Sequence, residues 1–283
     1  GMPSPSLPFF WVAILLLGMP VRSLLSKVQG WHLATEATEA SLTAIELQLG
    51  HKLSRTFGVA GVCQYGYPQA ALVAMRPDKV EGSLVRLTCP HLCQFVDDWE
   101  GEGAVETQSK KLAENDEWRA SLAEVNRRHA STRRTLASEE TIACTESKLG
   151  EAQCESILNS GIAGLSPSRT ADVKCVHAHI ADELLSGSND LGKAFLGELA
   201  ERRGCDPSGS TFCHEHCSGA GPWSYVPVKN KQKLWTTKHR RRILKERHLG
   251  NPDDQVESEL SAAGPGPTAL RTRRSSSSSS SPT

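Results

Sequence analysis

The chain carries no excess charge of either sign. Over 283 residues, 32 lysines and arginines balance 32 aspartates and glutamates. No whole-chain field therefore favours nucleic acid or an acidic membrane. Aromatic residues are few, 5% against 38% hydrophobic in all, as in a modest core diluted by polar segments. No apolar run reaches the ~20 residues of a bilayer-spanning helix. The longest, Leu7 to Val21, is shortened further by Pro8 and Pro20. No internal repeat and no CxxC pair is present, and Gly161-Ile162-Ala163-Gly164 lacks the spacing and the lysine of a phosphate cradle. That loop reads as a turn.

What is present divides the chain into three parts. Residues 1–34 are signal-like or targeting in character, because the apolar run has the length of a signal-peptide h-region. No basic residue precedes the run and no Ala-x-Ala site follows it. The expectation is secretory or organelle targeting, with a cytoplasmic location as the alternative. Residues 35–225 form the core. Residues 226–283 are a basic tail ending in Arg-Thr-Arg-Arg and seven serines, a composition that cannot bury a core. The tail's charge permits contact with an acidic partner or nucleic acid, whereas the core carries no nucleic-acid signal.

Within the core the pattern predicts an α-rich α+β single domain. A small β-element near residues 57–89 packs on four or five helices between 91 and 203. From Glu39 to Leu53 the spacing is helical, with Leu42, Ile45, Leu49 and Leu53 on one face and Gly50 as a stop signal. Short β-like runs follow at 57–67, 70–76 and 82–89; Pro90 closes the last, and a helix begins at once with His91, Phe95, Val96 and Trp99 on one face. Residues 112–136 read as one long arginine-rich helix, with most of its arginines on a solvated face, and 139–158 as another. A further helix capped by Ser166 or Ser168 runs to Gly187, and Asp190–Arg203 is the last, capped by Ser188 or Asn189.

Nine cysteines (63, 89, 93, 144, 154, 175, 205, 213 and 217) are too few for a disulfide scaffold of this length and odd in number. Five of them lie beside histidines, which disulfides do not need and zinc-type metals use. The densest chemistry is Val173-Lys174-Cys175-Val176-His177-Ala178-His179-Ile180-Ala181-Asp182. Read as continuous helix, this stretch sets Val173, Val176, Ile180 and Leu184 inward with His177 beside them. It also places Cys175 and His177 about 200° apart, too far to pair directly. Downstream, Cys213 and Cys217 enclose His214 and His216 and, with Cys205, suggest a local metal knot.

Taken in order, Gln48-Leu49-Gly50, Cys63-x-Tyr65-Gly66-Tyr67-Pro68, Leu87-Thr88-Cys89-Pro90-His91-Leu92, His129, Gly161-Ile162-Ala163-Gly164, the Cys175 stretch and Asn189-Asp190-Leu191-Gly192 resemble the family catalogued as domain of unknown function 501. The resemblance covers about residues 40–217. One departure is Glu81-Gly82-Ser83-Leu84-Val85-Arg86, which replaces an apolar, aromatic segment. The family implies a fold and candidate positions, and no activity.

Three readings of the matched residues follow. The first is a structural metal site, zinc or similar, from Cys63, Cys89, Cys175 and His177, with Cys213 and Cys217 as further candidate ligands. Its bland counterpart is buried cysteines acting as small hydrophobes around a hydrogen-bonded core histidine. The second is a thiol- or metal-dependent, hydrolase-like enzyme for a small anionic substrate. Cys175 or Cys89 would be its nucleophile, with His177, His179 or His129 as base. The third is an interaction module using the basic tail.

Overall fold

A computed structural model describes residues 24–203, apart from 167 and 170, together with Cys217. The apolar run 7–21, Cys205, Cys213, His214, His216 and the basic tail lie outside the described residues. Four short strands, β1 (Thr35–Glu36), β2 (Thr56–Ala60), β3 (Ala70–Val73) and β4 (Val85–Leu87), form an antiparallel sheet in sequence order. Eight helices accompany them among the described residues: α1 (Glu39–Leu49), α2 (Pro90–Gly101), α3 (Ala104–Ala113), α4 (Asp116–Leu136), α5 (Glu139–Leu149), α6 (Glu151–Leu158), α7 (Val176–Ser186) and α8 (Asp190–Arg203). The protein is thus helix-rich α+β, as the pattern predicts. Among the described residues no helix is long and apolar enough to cross a membrane.

One expected helix, 139–158, is broken in two, and α3 is a helix the pattern did not indicate, so seven helices, not four or five, lie between 90 and 203 among the described residues. Asn115 accepts the backbone N–H of Trp118 at 2.9 Å and starts α4 afresh. Gly150, at φ +87°, separates α5 from α6 in a backbone conformation that side chains resist. In α1 the expected stop holds: Gly50 adopts φ +67° after Leu49.

The core runs between sheet and helices. Phe57, Leu72, Leu92, Leu122, Ile180 and Phe195 are fully buried, and Val28 and Trp31 pack into the same cluster. Helix α7 lies centrally, touching β3, β4 and α8. Helix α1 and the segment after β4 are tied down by one acceptor. The carbonyl of Pro68 takes Nε2 of Gln48 at 3.0 Å and the hydroxyl of Thr88 at 3.1 Å, so Thr88 holds the entry to α2 in place.

Two arginines of α4 depart from the solvated face expected for most of them. Arg133 is wholly buried and donates to carbonyl oxygens of Glu81, Gly82, Leu158, Ser160 and Gly161. It ties α4 to the β3–β4 connection and to the turn at 161–164. Burial lowers its pKa to about 10, which still leaves it charged at neutral pH.

Candidate functional site

The site begins where α7 begins. Residues 171–175 are not helical, and Val176 is the first helical residue, ten positions after the expected cap at Ser166. The cap comes from another element: Val176 donates its N–H to Oε1 of Glu100 on α2 at 2.7 Å. A carboxylate at a helix N-terminus satisfies an orphan donor and meets the positive end of the helix dipole. Cys175 is therefore extended, at φ −161° and ψ 118°. Freed from helical spacing, its thiol comes within 4.8 Å of a ring nitrogen of His177, which corrects the 200° separation expected from a continuous helix.

Ligand atoms of Glu100, Cys175 and His177 all lie within 4.8 Å of one another, on partly buried side chains, and can hold a metal ion. Nδ1 of His177 is 3.3 Å from Oε1 of Glu100, and its Nε2 is 3.5 Å from Oδ1 of Asp97. Burial works against charge on His177, but hydrogen bonds to Cys175 and Glu100 outweigh it and raise its pKa to about 10. Burial likewise opposes the Glu100 carboxylate, yet His177 and the N–H groups of Val176 and His177 hold it below its usual range. The site thus pairs a carboxylate with an imidazolium beside Cys175.

The other proposed ligands lie elsewhere. Cys89, at the N-cap of α2, is buried, and Cys93, one turn on, is partly buried. Burial, then the charges of Cys89, Asp97 and Cys175, pushes the Cys93 thiol well up. Cys63 sits in the β2–β3 turn, where its carbonyl accepts the N–H of Gly66 at 2.8 Å. After burial, Cys217 and Cys63 raise the pKa of the Tyr67 hydroxyl, which puts both cysteines near that ring. Among the described residues, neither Cys63 nor Cys89 joins a group of three ligands.

His179, not His177, occupies the buried face of α7. It belongs to a polar network in the core. Asp182, fully buried, accepts from Nη2 of Arg128 at 2.5 Å and from Nδ2 of Asn189 at 3.0 Å, and lies 2.7 Å from Nε2 of His129. Burial opposes the Asp182 charge, but His129 and Arg128 keep its pKa low. Burial lowers His129, and it lowers His179 to about 4. Neutral His129 therefore donates from Nε2, and its buried Nδ1 has no hydrogen-bond partner among the described residues, like Nε2 of His179. His129 and His179 are thus core histidines, partnered by Asp182 and Asn189.

Sequence reasoning missed Glu100 and Asp97. Their signal is helical: Cys93, Asp97 and Glu100, at i, i+4 and i+7, put three ligand-type side chains on one face of α2. A lone acidic stripe is common on solvated helices, so it stands out only beside His177.

No curated protein and no solved structure matches this chain. A family model does, over residues 59–197, a span that contains Cys63, Cys89, Glu100, Cys175, His177 and the Asp182 network. Through that span the chain belongs to the family described as Protein of unknown function (DUF501).

Proposed function

We propose that the protein binds a zinc-type metal ion through Cys175, His177 and Glu100. The carrying observation is the meeting of thiol, imidazole and carboxylate within 4.8 Å at the start of α7. Tetrahedral zinc sets its ligands roughly 3–4 Å apart, so modest side-chain rotation brings these three to bonding positions. A metal on Nδ1 of His177 leaves Nε2 to donate to Asp97, the carboxylate–histidine–metal arrangement that orients an imidazole. Three protein ligands leave one position open, as in catalytic rather than closed structural sites. The wider set of the sequence reading, with Cys63 and Cys89, makes a closed sphere instead.

The test is elemental analysis by mass spectrometry of the full chain, purified without a histidine tag, beside Cys175→Ser. About one zinc per chain, lost in the variant, is expected. Folded wild-type protein that neither retains nor takes up zinc overturns the reading.

The closeness of the Cys175 thiol to the His177 imidazole favours a second reading, a thiol nucleophile with its imidazole oriented by Glu100. Alkylation separates the two. A metal-bound thiolate reacts only after chelation, whereas a free nucleophile reacts at once and ignores the chelator.

A further inference from the structure

The geometry points to a second site, independent of the metal centre, that takes a small phosphorylated molecule. A groove of about 470 Å³ opens between the β3–β4 connection, α6 and the 161–166 turn. That is within the ~300–1,000 Å³ of small-molecule sites. Three cations line it, Lys79, Arg86 and Lys174, each from a different stretch of chain, against one carboxylate, Glu81. Glu81 already pairs with Arg55 at 3.6 Å.

None of the three cations has a carboxylate partner among the described residues. Arg86 donates to the hydroxyl of Ser83 at 2.7 Å, and Lys174 to the carbonyl of Gly164 at 3.0 Å. The lining thus carries three positive charges and one negative, a surplus of two, concentrated in a concave surface that focuses the field.

The floor disposes of its acceptors. Carbonyl oxygens of Glu81, Gly82 and Ser160 accept from buried Arg133, and that of Gly164 from Lys174. A cation finds few acceptors there, while an anion meets a guanidinium, two ammonium groups and the hydroxyl of Ser156. Backbone geometry at the floor is demanding. A Cβ on Gly82 would come within 3.1 Å of the Gly164 Cα, and Ala163 holds φ +52° without being glycine. Strain of this kind persists where surrounding structure enforces it, and it clusters at ligand sites. Phosphate suits the constellation because arginine engages it with two parallel donors and lysine as a point charge.

Calorimetric titration of the chelator-treated full chain with inorganic pyrophosphate, and separately with inorganic phosphate, tests this. Saturable binding is expected, stronger for pyrophosphate, and weakened about tenfold or more by Arg86→Gln or Lys174→Gln. Lys110→Gln, an exposed α3 lysine outside the groove, serves as control and should bind as wild type does. Cys175→Ser should also bind normally, which keeps this outcome separate from that of the metal centre. No saturable binding, or equal loss in Lys110→Gln, overturns the proposal. So does preferential binding of a single-stranded RNA oligonucleotide, which would make the groove a nucleic-acid contact.

Discussion

One oxygen of Glu100 does two jobs: Oε1 accepts the N–H of Val176 at 2.7 Å and lies 3.3 Å from Nδ1 of His177. The group that starts α7 thus also holds the imidazole that α7 presents. Helix start and site are one structure.

Substituting Glu100 separates the two roles. Glu100→Gln keeps a carbonyl acceptor for Val176 but loses the charge facing His177, so it should cost less stability than loss of the whole side chain, while zinc affinity falls by at least the ~10–100-fold typical of a lost supporting group. Glu100→Ala removes the cap as well and should cost about 1 kcal/mol of unfolding free energy. Competition with a colorimetric chelator and urea denaturation read the two effects. Equal zinc affinity in both variants and wild type would remove Glu100 from the ligand set.

The proton on His177 links metal binding to pH. Its pKa, raised from 6.5 to about 10, means that a metal must displace that proton at neutral pH. Zinc affinity should rise about tenfold or more per pH unit between pH 7 and 9, with proton release measurable in weak buffer. In the metal-free protein the sign reverses. The raised pKa stabilises the fold fully below pH 6.5, and this contribution is lost as pH climbs towards about 10. His177→Gln should flatten both dependences.

Asp182 anchors the core network, and removing it strands Arg128. Asp182→Ala should cost ~3–5 kcal/mol, because a buried guanidinium is left uncompensated; Asp182→Asn, which keeps an acceptor, should cost less. Lowered pKa values at Asp182 and His129 both act at the acid side. Each contributes stability present above the unfolded value, 3.8 or 6.5, and lost as pH falls below it. Urea midpoints measured from pH 7 downward should therefore fall steadily, and a flat profile would remove the network from the acid response.

Gly192 lies where α8 crosses α7. A Cβ there would sit 2.2 Å from the His179 carbonyl oxygen and 2.7 Å from the Glu183 Cβ. Gly192→Ala should push the helices apart and cost about 1–3 kcal/mol, whereas Gly197→Ala, where a Cβ meets nothing within 4 Å, should be neutral or slightly stabilising. Thermal melting of the two variants checks this.

Much of the fold was legible in local pattern. Helix α8 spans Asp190–Arg203 as its apolar spacing and cap residues indicate. Asn189 does accept the N–H of Gly192 at 3.0 Å. Gly50 ends α1, and Pro90 begins α2. Such signals are read over a few residues and depend on backbone sterics and short-range hydrogen bonds, which sequence alone determines.

The start of α7 was not legible, because its cap is Glu100, 76 positions away. Nor was the division of the histidines, His177 to the Glu100–Cys175 cluster and His179 to the Asp182 network. One residue's shift in where a helix begins rotates every later side chain by about 100°. Sequence by itself determined the residue types, the helix-rich α+β class and the candidates Cys175 and His177. Only the tertiary structure decided that Glu100 is their neighbour and that Arg133 is buried. Contacts between distant segments follow from the packing of the whole core, which no local pattern encodes.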